Sequence, residues 1–141
     1  MSLLKKFVST GLGLFGSAAF GQGPIAIPLS PTKSDLSAYR WEARPVLIFA
    51  PDPAHPDLMD QVAELRDARD GLEDRDIVVL TDAQPDAHGK LRSALAIDGF
   101  EVVLVGKDGS VKLRKNTPIT AQALFDTIDS MPMRRRELSD D

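Results

Sequence analysis

Short apolar runs alternate along this chain with stretches of helical spacing. Val46-Leu47-Ile48-Phe49-Ala50 is continuous and bounded by prolines, the pattern of a strand buried on both faces. Ile77-Val78-Val79-Leu80 is a second such run, and residues 102–105 are a third. Between the first two, Leu58, Met59, Val62, Leu65 and Leu72 recur at helical spacing. Ala68 fills a small slot in that stripe, and Asp60, Glu64, Asp67, Asp70 and Glu73 take the wet side. Pro56 suits the first helical turn, Asp57 complements the dipole there, and Gly71 is placed as a C′ residue. A polar loop over 81–89 leads to a short helix carrying Leu91, Ala94 and Leu95. Gly106-Lys107-Asp108-Gly109 predicts a hairpin turn, and Val111-Lys112-Leu113-Arg114 alternates as a strand with one exposed face should. Thr120 is placed to cap a last helix with Ala121, Leu124, Phe125, Ile128 and Met131 on one side, which Pro132 interrupts.

The order is therefore β-α-β-α-β-β-α. It predicts an α/β fold with a four-stranded mixed sheet: a parallel βαβ half, then a hairpin, flanked by helices. This is the minimal thioredoxin-like arrangement. One domain over 35–133 accounts for every periodic segment. Before it, residues 22–34 are rich in Pro, Gly and Ser and read as a flexible leader; after the leader Asp35 caps a short helix whose Tyr39 and Trp41 are expected to dock on the domain. After it, residues 134–141 read as a charged C-terminal tail.

The first 21 residues change the picture of compartment. Lys5 and Lys6 precede an uncharged apolar stretch over 7–20, and small residues then offer cleavage after Ala19 or Gly21. That order is a signal peptide, so a periplasmic or secreted location is expected. An uncleaved segment would tether the chain to a membrane. Its removal takes the net charge from −4 to −6, which disfavours nucleic acid as a partner. The chain has no cysteine, so neither a disulfide framework nor thiol chemistry is available to it.

Four blocks carry a family resemblance: Tyr39-Arg40-Trp41; Glu73-Asp74-Arg75-Asp76-Ile77-Val78-Val79; the hairpin over 106–113; and Leu124-Phe125-Asp126-Thr127-Ile128-Asp129-Ser130-Met131-Pro132-Met133-Arg134. With them the chain resembles a bacterial thioredoxin-like domain of unknown function, number 4174. That domain is related to the DUDES-type domains of secreted animal matrix and sushi-repeat proteins. The resemblance implies an extracytoplasmic thioredoxin-like fold and no agreed activity. Against thioredoxin, Pro53-Ala54-His55-Pro56 falls in the Cys-x-x-Cys slot and Phe100-Glu101 near the cis-proline position. Disulfide exchange needs a thiolate, so oxidoreductase chemistry is excluded.

Parallel neighbours send the loops after the first two strands to one end of the sheet, where open α/β sheets usually hold ligands. Those loops bring Asp52, His55 and Asp57 together with Asp82, Asp86 and His88. His55, oriented by Asp52 or Asp82, could act as a base alongside His88. His55, His88 and Asp86 could alternatively ligate a metal, giving a hydrolytic enzyme. Equally, these are ordinary polar loop residues. A second candidate is the segment after the last helix, with Met131 and Met133 as adaptable apolar contacts and Arg134, Arg135 and Arg136 as partners for acidic groups. The sequence thus favours a non-catalytic binding or structural module contacting an unknown protein or envelope component, with no cofactor.

Overall fold

The three apolar runs form the centre of one mixed sheet. β1 (Ala26–Pro28) and β2 (Arg44–Phe49) flank β3 (Ile77–Asp82), both running parallel to it. On its other side β2 pairs antiparallel with β4 (Glu101–Val105), which pairs antiparallel with β5 (Val111–Lys115), giving the order β1-β3-β2-β4-β5. The computed structural model describes residues 23–140. The expected signal peptide over 1–21 therefore lies outside the described residues.

Five strands replace the four expected. The extra one, β1, comes from the segment read as a leader. It is too short and too proline-flanked to show periodicity, and it is held by register opposite Val79, Leu80 and Thr81. Leu29 extends the tie, its N–H donating to the Thr81 carbonyl at 2.7 Å. Pro28 is tolerated there because β1 is an edge strand.

Alternation along the central strands divides the core into two layers. Val46, Ile48, Val79, Val102 and Leu104 face one side, under α1 (Pro56–Arg66), α2 (Arg69–Asp74) and α4 (Ala121–Asp129). Leu47, Phe49, Leu80, Val103 and Val105 face the other, under Leu91 of α3 (Lys90–Ala94) and the partly buried Tyr39. Each fully buried side chain such as Leu65, Leu124 or Ile128 contributes about 1.5–3 kcal/mol of transfer free energy. Thr120 caps α4 as expected, accepting from the Ala123 N–H at 3.1 Å. Trp41 does not dock: it is 60% exposed and sits at φ 69°. Among the described residues no helix is long and apolar enough to cross a membrane.

The single helical stripe expected from Leu58 to Leu72 is two helices, broken at Asp67 and Ala68. Gly71 is not a terminator; it lies inside α2, where a Cβ would come 2.5 Å from the Phe125 ring. That ring is in turn covered by the Arg75 guanidinium, 4.1 Å from its centroid. In an exposed helix Gly→Ala gains up to about 1 kcal/mol. Here Gly71→Ala is expected to destabilise by about 1–3 kcal/mol, because Phe125 must leave its seat. Urea titration checks the sign; a stabilised variant would contradict the packing.

The segment read as a charged tail is also a helix, α5 (Pro132–Ser139). Pro132 does end α4, but it then occupies the first turn of α5, where its missing N–H costs nothing. No apolar stripe marks α5 in the sequence; charged groups dock it instead.

Candidate functional site

At the carboxyl ends of β2 and β3, the chain turns from Ala50 into α1. Asp52 Oδ1 accepts from the Ala54 N–H at 2.9 Å, closing a tight local turn. His55 then caps α1: its Nδ1 accepts from the Asp57 N–H at 3.3 Å, and Pro56 follows in the first turn. The imidazole lies parallel to the Phe100 ring, with centroids 6.0 Å apart and planes 6° off parallel. Phe100 leads directly into β4 and is buried. Residues 53–56 therefore sit where expected, between β2 and α1, and the residue before β4 packs on them. No cis peptide bond occurs among the described residues.

Asp82 is spent at the same end. It is 8% exposed, and both its carboxylate oxygens accept from Arg92, at 3.2 and 3.1 Å. Arg92 Nη2 also donates to the carbonyls of Ala50 and Asp82, tying α3 across the ends of both strands. Asp86 and His88 stand on the exposed loop between β3 and α3, where His88 has φ 51°. Among the described residues no group of three or more His, Asp or Glu side chains is disposed to hold a metal. The structure thus keeps His55, Asp52 and Asp82 at one end of the sheet, as expected, but engages each in a local structural bond. His55 and His88 are not joined with Asp86 into a ligand set.

The opposite end carries the densest charge. Arg44, at the start of β2, is 1% exposed. Its Nη1 donates to the Arg75 carbonyl at 2.8 Å, and its Nη2 pairs with Glu137 of α5 at 3.2 Å. Lys107 in the hairpin turn reaches Glu137 and Asp76, each at 2.8 Å. Arg134 is not a free docking cation. It is 4% exposed and pairs with Asp74 at 2.6 Å, Asp129 at 3.1 Å and Glu137 at 3.5 Å. Arg75 also pairs with Asp129, at 2.8 Å. Of the other proposed contact residues, Met131 and Met133 are half-buried, and Arg135 and Arg136 are exposed.

The turn itself is built around Gly109, at φ 88°, with the Arg40 guanidinium laid against it. Trp41 donates its N–H to the Lys107 carbonyl at 2.7 Å. Donation from the Ser110 N–H, then Lys112 and the Ser110 hydroxyl, holds the Asp108 carboxyl down at about 2.

Two carboxyls of this network are held below their ordinary values. For Asp129 the Arg75 hydrogen bond is the largest influence, opposed by burial and reinforced by Arg134. For Glu137 burial is largest and pushes up, but donation from Lys107 and Arg44 and their charges together outweigh it. A depressed folded-state value means that the ionised form stabilises the fold. That contribution is complete above the ordinary values of 3.8 and 4.5 and is lost as pH falls through the lower folded ones. Thermal melts are therefore expected to be nearly flat from neutral pH down to about 5 and to fall steeply below about 4. Glu137→Gln is expected to remove part of the fall; an unchanged profile would show that Glu137 contributes nothing to it.

The sequence matches the pattern of a domain of unknown function, DUF4174, over residues 35–137. The chain belongs to the DUF4174 family. The matched span runs to Glu137 and so takes in α5 as far as the partner of Arg44. Solved structures similar to this DUF4174 chain are thioredoxin-like. Chloroplastic thioredoxin z is 20% identical, with 62% of this chain and 76% of that chain covered at a TM-score of 0.50. Desulfothioredoxin from Desulfovibrio vulgaris Hildenborough is 13% identical, with 74% and 97% covered at 0.54. A 2-Cys peroxiredoxin from Plasmodium vivax is 16% identical, with 73% and 84% covered at 0.53. At these identities the likeness establishes the fold alone. No curated protein matches the chain.

Proposed function

We propose that this DUF4174 chain is a non-catalytic binding or structural module, exported to the periplasm or secreted, on a thioredoxin-like scaffold without thiol chemistry. Export rests on the Lys5-Lys6 and apolar 7–20 pattern, and it is supported by the resemblance of the four sequence blocks to bacterial relatives of the DUDES-type domains. The observation that carries the reading is His55. In the slot where thioredoxins hold their cysteines it caps α1 through Nδ1 and stacks on Phe100, which supports a structural rather than a catalytic role. Asp82, the carboxylate best buried beside it, is committed to Arg92. Recognition then falls to the opposite end, to Met131, Met133, Arg135 and Arg136.

Enzyme assays test this directly. Purified protein is offered chromogenic ester, phosphoester and peptide substrates, with and without divalent ions. His55→Ala is expected to lose about 1 kcal/mol of stability through its cap and to change no turnover. A turnover abolished in His55→Ala at a temperature where that variant is folded would overturn the reading.

A further inference from the structure

A cavity of about 230 Å³ opens at the amino-terminal end of α5, beside the Gly106–Gly109 turn. Met131, Pro132 and Met133 form one wall. No side chain caps the helix at Met131 and no acidic residue lies in its first turn. The N–H groups of Met133 and Arg134 are thus left without a capping acceptor, at the positive end of the helix dipole.

A second donor at this cavity also lacks an acceptor. Arg44 lines it, is 1% exposed, and has its Nη1 and Nη2 committed to Arg75 and Glu137. Its Nε is the one buried side-chain N or O among the described residues with no hydrogen-bond partner. A buried unpaired donor on a cation costs about 1–3 kcal/mol or more, a penalty that an acceptor brought within reach of Nε would relieve.

Charge decides what kind of acceptor fits. The lining cations are Arg44, Lys107, Lys112 and Arg136. Glu137 serves Arg44 and Lys107, Asp76 serves Lys107, and Asp108, itself in the lining, serves Lys112. Arg136 is exposed and has no ion pair among the described residues. The surplus is therefore about one positive charge plus the helix end, worth about half a charge. That suits a monoanion. A phosphate dianion would instead meet Asp108 and Glu137 with charge to spare. The apolar walls of Met131 and Met133 suit a stem of methylenes behind the charged group.

From this we infer that the cavity is a carboxylate site, taking a glutamate or aspartate side chain of an acidic peptide segment. The inference deepens the binding-module reading and rests on it. The carboxylate accepts from the N–H groups of Met133 and Arg134 and from Arg136. Its arrival lets the adjoining Arg44 Nε find an acceptor, directly or through one water.

The test is an NMR titration of the whole chain with three probes. One is an acetylated and amidated Ala-Leu-Glu-Leu-Ala peptide, the second its glutamine counterpart, the third inorganic phosphate. The glutamate peptide is expected to shift the Met133 and Arg134 amides and the Arg44 Nε–H signal, and to bind at least tenfold more tightly than the glutamine peptide. Arg136→Ala is expected to weaken it severalfold. Met133→Glu, which supplies an internal carboxylate to the helix end, is expected to abolish it while the melting temperature holds or rises. Equal binding of both peptides, tighter binding of phosphate, or no shift at these three groups with any probe would overturn the carboxylate site. Shifts confined to residues 53–56 would also overturn it yet leave the chain a binding module. Only the enzyme assays above reject that broader reading.

Discussion

Glu137→Ala is expected to cost about 3 kcal/mol of stability, although Glu137 lies only four residues from the end of the chain. The carboxylate is the shared acceptor for Arg44 and Lys107. Removing it leaves the Arg44 guanidinium buried with one bond to the Arg75 carbonyl and an Nε that already lacks a partner. An uncompensated buried cation is among the most destabilising single changes, typically about 3–5 kcal/mol. The lower end applies because Glu137 is 28% exposed and water can replace part of what is lost. Were residues 134–141 a solvated tail, the same change would fall within about 0.5 kcal/mol. Replacing both partners, as Arg44→Met with Glu137→Leu, is expected to recover most of the loss, since well-packed apolar residues often substitute for a buried ion pair at no net cost. Urea denaturation of Arg44→Met, Glu137→Leu and the double yields the coupling energy, expected to exceed about 1 kcal/mol. A coupling near zero would mean that α5 is held by something else.

The second large effect is at Gln61, which is fully buried on α1. Its amide exchanges two bonds with one backbone residue, Nε2 donating to the Ile119 carbonyl at 2.9 Å and Oε1 accepting from the Ile119 N–H at 2.8 Å. The side chain thus acts as a strand would, satisfying the loop that delivers α4 to the core. Gln61→Ala removes both bonds, leaves two buried backbone groups unpaired and opens a void, for an expected loss of about 4 kcal/mol. Gln61→Leu fills most of the void but not the bonds and is expected to cost about 2–3 kcal/mol. Neighbouring Met59, though apolar, is 59% exposed, and Met59→Ala is expected to stay within about 0.5 kcal/mol. Amide exchange at Ile119 provides a local check, since its protection must fall in both Gln61 variants. If Met59→Ala proved the costlier change, the assignment of the buried face of α1 would be wrong.

Gln61 also shows where sequence reading met its limit. Spacing along α1 and α2 puts 58, 61, 65 and 72 on one stripe, and that is the buried set. Hydrophobicity favoured Met59 and passed over a glutamine that meets its hydrogen-bond needs only through a loop 58 residues on. Continuous apolar runs identified β2, β3 and β4 correctly, because strands buried on both faces are predominantly apolar. β1 is three residues whose strand character comes from the register of β3. α5 has no apolar stripe, and its docking comes from Arg134 and Glu137 meeting charges far away in sequence.

The candidate chemistry divides in the same way. That His55, Asp52 and Asp82 share an end of the sheet was legible from parallel topology. Their engagement by Asp57, Ala54 and Arg92 was not, because loop composition is the same for a cap and for a base. The basic run over 134–136 was visible as charge alone. Burial separates it into Arg134, which holds the fold, and Arg135 and Arg136, which face solvent.

One experiment compares the two ends of the sheet in a single protein. A photo-crosslinking amino acid is placed either at Met133 or at Ala54 in the full chain expressed in its native cells. Met133 is half-buried at the rim of the cavity and Ala54 is exposed at the other end of the sheet. Adducts to a reproducible partner segment rich in Asp or Glu from Met133, with none from Ala54, are the predicted result. Adducts from Ala54 alone would return function to the end where thioredoxins work and contradict the account.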